Sequence, residues 1–350
     1  MPKYRQSYTL FKRGKYYYYR TYTPDGVRTT AHTTGCTSLT AARLYCDKLY
    51  KEGRIFVSSK TFSEYAKDFF NENSVYVRDN ALSTSTIIAY NSAIKTTFIP
   101  LIGNRKLEDI THTFLKSLRQ AMLDAGMSPA TIRMRMKVLH IVVKSAYLDG
   151  IIARDPFDFL RELKEKSRSR DALTIEEVKL LYNEVPDSIK PAILILALTG
   201  MRMSEFSAVS AADVLEDDGI RYIHLERQYL YGKFQPLKNK KPRDIPISAG
   251  LVPFIKDTNL KAKKLFTVHV NPVIKTFKDS SERLLSAHSL RHFFISSSKS
   301  YGVNHLKVEA IAGHSLKGIQ EVYTSFHVQD LAEIIKWQEW AMDEITGKTV

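Results

Sequence analysis

The stretch Arg161 to Thr174, RELKEKSRSRDALT, is so charged and so poor in apolar residues that no hydrophobic core can run through it. We read it as an interdomain linker. At 350 residues the chain is also too long for one ordinary core, since roughly 100–200 residues per domain calls for two or three units. The periodicities on either side of the break differ, which separates those units further.

From Tyr8 to Thr34, β-forming runs alternate with turn signals: YTLF, RGK, YYYYRTY, PDG, VRTTAHTT. Thr37 or Ser38 is placed to cap a helix reaching Gly53, with Ala42, Leu44, Tyr45 and Leu49 expected to cover the sheet. Residues 1–57 are therefore predicted as a small β-sheet-plus-helix module. In residues 58–165 the apolar residues recur at helical spacing, beginning with a helical TFSEYAKDFFNE and ending with helices over Thr111 to Ala125 and Ser128 to Asp149. The last of these opens on Ser-Pro and closes at Gly150, so an all-α bundle is expected. Residues 170–350 mix a capped helix, TIEEVKLLYNEV, an apolar helix ending at Gly200, and strands joined by a basic turn between Gly219 and Ser248. Two further helices follow, so the class is multidomain α+β, its last domain mostly α with a small antiparallel sheet.

Charge indicates a partner. Lys and Arg number 52 against 37 Asp and Glu, a net charge of +15 that favours a polyanion. Residues 1–60 carry 12 basic and 3 acidic residues, so the positive field is concentrated at the front. Lys12, Arg13, Lys15, Arg20 and Arg28 stand among tyrosines there, the mixture expected where a sheet meets phosphates and a groove. The plainer possibility is that the tyrosines pack the module's own core. Arg133, Arg135 and Lys137 lie on the last helix of the bundle, and Lys240 in the basic turn; each suits a phosphate backbone or, equally, a solvated face. No uninterrupted apolar run approaches the roughly 18 residues that cross a membrane, and MPKYRQSYTLFKRGKYYYYR lacks the apolar stretch of a secretory signal. A cytoplasmic protein with no membrane partner is expected. Cys36 and Cys46 form no metal-binding or disulfide pattern, and no Gly-rich loop ends in GK[ST], so neither a metal, a cofactor nor ATP is expected.

Four short stretches carry the polar residues that fit one chemistry: TGMRMSE, PLKNKKPRDIP, HSLRH, and AGHS with a tyrosine nine residues after its histidine. One His-x-x-Arg or one Gly-His is commonplace and usually caps a helix or fills a core. The ordered set is not commonplace, and it resembles the active-site boxes of the tyrosine recombinases of the phage-integrase family. The resemblance maps Arg202 to the first arginine, Lys238 to the β-turn lysine, His288 and Arg291 to the His-x-x-Arg pair, His314 to the third-box histidine, and Tyr323 to the nucleophile. Lys240 and Lys241 compete for the lysine role. The front module resembles the arm-binding domains of phage and conjugative-transposon integrases, and the helical segment a core-site-binding domain.

The chemistry asks for these residue types. Displacing an oxygen from a phosphodiester builds negative charge on the non-bridging oxygens, which planar guanidinium groups match with paired hydrogen bonds. Arg202 and Arg291 suit that task, and His288 and His314 add donors. A phenol, with a pKa of about 10, needs a base or a positive field to attack, and His288 is the candidate base. Lys238 suits protonation of the departing oxygen. Glu205, one helical turn after Arg202, is placed to hold its guanidinium. His292 reads as structural. The resemblance further implies double-stranded DNA with core and arm sites, a homotetramer on that DNA, a host DNA-bending protein, a directionality factor and a place on the bacterial nucleoid. Alternatives are a type IB topoisomerase-like enzyme, which cleaves without strand exchange, and a catalytically silent DNA-binding regulator. The apolar residues of VQDLAEIIKWQEWAMDEI suit packing on their own domain or on a neighbouring protomer.

Overall fold

The computed structural model describes residues 8–21, 28–51, 60–152, 154–161, 163, 172–256, 270–278, 282, 284–314 and 326–347. The chain forms two compact units, Met1–Arg168 and Ser169–Val350.

The first unit begins with a three-stranded antiparallel sheet, β1 (Thr9–Arg13), β2 (Tyr16–Arg20) and β3 (His32–Thr33), in that order. Side chains alternate across it, so Leu10 and Tyr19, which pair, face helix α1 (Leu39–Lys51), and Tyr19 is buried with Cys46 and Leu49. Ser38 is the cap, its Oγ accepting from the Ala41 amide at 3.2 Å. Leu44, expected over the sheet, instead faces solvent, while Cys46 is fully buried. The helix turns roughly 100° per residue, which carries Leu44 away from the face that Ala42, Cys46 and Leu49 share.

The module adjoins an all-α bundle in the same unit. The Thr30 hydroxyl donates to Glu108 Oε1 at 2.9 Å, and His32 Nε2 lies 3.6 Å from Glu108 Oε2. The bundle comprises α2 (Phe62–Ala66), α3 (Val75–Asp79), α4 (Thr84–Ala93), α5 (Ile99–Ile102), α6 (His112–Asp124) and α7 (Pro129–Leu148), with a π turn at Ile94–Phe98 joining α4 to α5. TFSEYAKDFFNE stays helical only to Ala66. Phe69 and Phe70 leave that course to join Tyr76 and Tyr90 in an aromatic cluster, their ring centroids 4.9–5.8 Å apart. Thr111 and Ser128 cap α6 and α7, and Pro129 opens the latter.

In the second unit, α8 (Ile175–Glu184) starts at a Thr174–Glu177 capping box, and α9 (Lys190–Thr199) is buried along its whole length from Ala192. After the short α10 (Met203–Phe206) come β4 (Val214–Asp217), β5 (Ile220–Leu225), β6 (Arg227–Leu230), β7 (Lys233–Pro236) and β8 (Arg243–Pro246). They form an antiparallel sheet ordered β4-β5-β8 and a β6-β7 hairpin, with Ile223 and Ile245 paired at the buried centre. Helices α11 (Val252–Lys256), α12 (Ala287–Tyr301), α13 (His305–Ala312), α14 (Val328–Leu331) and α15 (Ile334–Thr346) complete the unit.

Helix α15 packs on its own domain. Trp337 is fully buried, its ring centroid 5.3 Å from that of Phe294. Gln338, also buried, accepts from the Ser248 amide and donates to the carbonyls of Leu198 and Pro246, at 2.8–3.0 Å. These bonds tie the ends of α9 and β8 together. Among the described residues no helix is long and apolar enough to cross a membrane.

Candidate active site

Gly200 ends α9 with φ +65°, a left-handed turn that lets the chain reverse directly before Arg202. A Cβ here would lie 2.4 Å from Phe294 Cδ1, so the close approach of α9 to α12 also requires glycine. The Gly200 carbonyl accepts from Arg291 Nη1 at 2.7 Å, which fixes Arg291 on α12 against the turn that carries Arg202.

Beneath the two arginines lies Glu205, 1% exposed. Its Oε1 accepts from Arg202 Nη1 at 2.7 Å and its Oε2 from the Arg202 amide at 2.8 Å. The sequence expectation that Glu205 holds Arg202 describes this contact. A second cation, Arg243 at the start of β8, meets the same carboxylate with Nη2 to Oε2 at 2.7 Å and Nη1 to Oε1 at 3.3 Å. Burial alone would raise the carboxyl's pKa, but Arg243, the Arg202 amide and the Arg202 guanidinium outweigh it and hold the group below its usual range.

Arg291 is 1% exposed, and beyond its bond to Gly200 its Nε and Nη2 are buried with no hydrogen-bond partner. Burial, then the charge of Arg202, push its pKa down to about 10, so it remains a cation at neutral pH. A buried guanidinium with two unanswered donor nitrogens is costly and calls for an anion.

His288 lies one turn before Arg291 on α12, open to solvent, its ring centroid 4.6 Å from that of His292. Its pKa is lowered, first by desolvation and then by His292, Arg291, Arg202 and His314, all of which favour the neutral imidazole. His292, which reads as structural in the sequence, is thus an exposed neighbour of the site. His314 follows the left-handed Gly313 that ends α13, and its Nδ1 lies 2.6 Å from Glu309 Oε2. The carboxylate accepts, so Nδ1 carries the proton and Nε2 is the nitrogen left to other contacts. Glu309 also pairs with Lys299 of α12.

Lys238 is exposed in the turn between β7 and β8. Lys240 is exposed in the same turn with φ +55°, its amide donating to the Leu237 carbonyl at 2.9 Å. Tyr323 lies outside the described residues. Sequence reasoning missed Arg243 and Glu309. A signal existed for Arg243: strand alternation puts it on the same face as the buried Ile245.

The expected DNA-contacting residues are divided. Arg13 and Arg20 project from the sheet face opposite α1, with Arg20 5.0 Å from the Phe11 ring, whereas Lys12 pairs with Tyr17 on the other face. Lys15 and Arg28 are exposed. On α7, Arg133 and Lys137 line a groove of about 700 Å³ with Arg119 and His140. Arg135 turns inward, its Nε and Nη1 buried without hydrogen-bond partners.

Comparison with known proteins bears on the family and the fold. The phage integrase family matches residues 171–330, the phage integrase N-terminal SAM-like domain residues 61–123, and the phage integrase SAM-like domain residues 102–166. The integrase of Mycobacterium phage FRAT1 is 23% identical over 203 residues, which is 56% of this chain and 58% of that protein. The chain thus spans between half and three-fifths of the length of the mycobacteriophage integrases it matches. The Tn1549 transposon integrase, in complex with a circular intermediate DNA, superposes with a TM-score of 0.56 at 20% identity, covering 77% of this chain and 96% of that one. Lambda integrase, as a tetramer bound to a Holliday junction, gives 0.56 at 16% identity, covering 91% and 96%. At these identities the likeness is one of fold.

Proposed function

The chain belongs to the phage integrase family, and from that premise we propose that it is a site-specific tyrosine recombinase, which cuts and rejoins DNA through a covalent 3′-phosphotyrosine at Tyr323. One observation carries the reading. Arg291 presents buried, unanswered N–H groups beside Arg202, His288 and His314. A scissile phosphate has the charge and the acceptor geometry to answer them.

In the proposed reaction the Tyr323 phenol oxygen attacks phosphorus as its proton passes to His288, whose surroundings favour the neutral, proton-accepting form. The bond to the 5′-oxygen breaks and Lys238 protonates the leaving hydroxyl. Arg202, Arg291 and His314 Nε2 hold the charge that grows on the non-bridging oxygens. Losing one such donor typically costs about 10²–10³ in rate. The phosphotyrosine conserves the phosphodiester, so rejoining is the same step reversed by a new 5′-hydroxyl and needs no nucleotide hydrolysis. Four protomers would exchange strands between two sites, with residues 1–57 binding arm sites and residues 58–165 the core site. A host bending protein and a directionality factor would set direction.

The test uses a duplex that the full chain selects from a randomised library, nicked beside the cut so that cleavage cannot reverse. A covalent adduct forms in the presence of EDTA; Tyr323→Phe abolishes it while binding stays nearly unchanged. An adduct persisting in that variant rejects the assignment. Exchange between two duplexes, and not relaxation alone, separates a recombinase from a topoisomerase-like enzyme.

A further inference from the structure

We propose that Arg243 is a positioning residue for phosphoryl transfer: it sets where Arg202 and His314 stand without itself touching DNA. The inference rests on the recombinase reading above and deepens it.

Three contacts carry it. Arg243 supplies two of the four N–H groups that Glu205 accepts, the other two coming from Arg202. Its Nε donates to the Ile311 carbonyl at 2.7 Å, in the last turn of α13, three residues before His314. Its side chain is only 8% exposed, shut in behind Gly313. A Cβ at Gly313 would lie 2.8 Å from Arg243 Nη1 and 2.9 Å from Cζ, so the glycine of the AGH stretch leaves the space this guanidinium fills.

One planar group therefore joins three elements: the turn and helix that present Arg202, the end of α13 that presents His314, and β8. Strand β8 matters because it leaves the basic turn that bears Lys238. A guanidinium has the fork to meet both oxygens of Glu205 and, with Nε, a third acceptor on its other edge. An ammonium is a point donor with no such edge, so lysine cannot substitute. Without Arg243, Glu205 would keep only the two donors of Arg202. The Ile311 carbonyl would be left without its side-chain donor, and both phosphate-facing groups would be free to drift. Displacement by about 1 Å is enough to cost roughly 10² in rate.

The experiment measures adduct formation on the nicked, library-selected duplex by the full chain and by Arg243→Ala and Arg243→Lys, with DNA affinity and thermal melting recorded for each. We expect Arg243→Ala to cleave about 10²-fold more slowly at near wild-type affinity. Millimolar guanidinium chloride should restore at least about tenfold of that loss in Arg243→Ala and none in Tyr323→Phe. Arg243→Lys should remain slow. If Arg243→Ala does not fold, Arg243→Lys decides: a folded, slow enzyme supports the inference and a wild-type rate overturns it. A folded Arg243→Ala that cleaves at the wild-type rate, or that is slow but indifferent to guanidinium, overturns the positioning role and leaves the recombinase reading intact. A wild-type chain that forms no adduct overturns both.

Discussion

His288 shows how a residue's surroundings decide its chemistry. Desolvation and four neighbouring basic groups lower its pKa below the ordinary 6.5, a shift that favours the neutral imidazole. Because the folded value is depressed, the stability linked to this group is complete above the unfolded pKa and is lost as pH falls through the folded one. A titration of the free chain by NMR should place the His288 midpoint below 6.5, with the acidic limb of the cleavage rate following it. A midpoint above that value would remove His288 as the base. Glu309 gives a second expectation at this scale. It accepts from His314 Nδ1 and so presents Nε2; Glu309→Gln, which can offer an amide where the carboxylate was, should slow adduct formation by about tenfold or more with folding retained. An unchanged rate would show that the carboxylate orients nothing. The six family-box residues could be proposed from the sequence because each occurs within a short motif of fixed order; Arg202, Lys238, His288, Arg291 and His314 lie among the described residues and Tyr323 outside them. Arg243 and Glu309 could not be proposed in this way: Glu205, which Arg243 meets, lies 38 residues away, and the contact of Glu309 with His314, though only five residues long, depends on how α13 ends at Gly313.

At the scale of elements, the strongest sequence signals were those with local physics behind them. Thr111, Ser128 and Thr174 cap helices where their spacing said they would, and Gly200 stops α9 with the positive φ that its position demands. What local pattern could not supply was which residues a tertiary cluster would claim. The aromatic cluster draws Phe69 and Phe70 out of helix, and the choice of Cys46 over Leu44 depends on the facing Tyr19. Helix α15 makes the same point. Its apolar spacing fitted docking on itself or on a neighbour, and its seat is set by Trp337 against Phe293 and Phe294 of α12. Phe294, three residues after Arg291, lies against the Gly200 turn, so the helix braces the floor of the site. Trp337→Ala should cost about 3–5 kcal/mol, read as a lowered midpoint in chemical denaturation. A loss under about 1 kcal/mol would mean that α15 does not belong to this domain's core.

For the whole molecule, charge distribution and linker composition suggest modules with separate functions, and that separation can be tested. The front sheet presents Arg13 and Arg20 on the face away from α1, while Arg202, Arg243 and Arg291 of the second unit converge on one site. If the two surfaces hold different DNA sites at once, the front module acts mainly by effective concentration, which for short linkers reaches the millimolar range. Its contribution should then appear on DNA that carries both sites and nearly vanish on a lone crossover site. Deleting residues 1–57 should therefore weaken binding to the distal sites far more than to the crossover duplex. It should also make the affinity for two-site DNA less sensitive to salt, since the slope of log K against log salt becomes shallower by about 0.9 for every phosphate the protein no longer neutralises. Binding isotherms for both chains across a salt series measure the two effects together. The front module touches the bundle through Thr30 and His32 at Glu108, so melting of the shortened chain must be followed as a control. Equal losses at distal and crossover sites, with the bundle still folded, would mean that the basic front contributes general attraction to DNA and no second site.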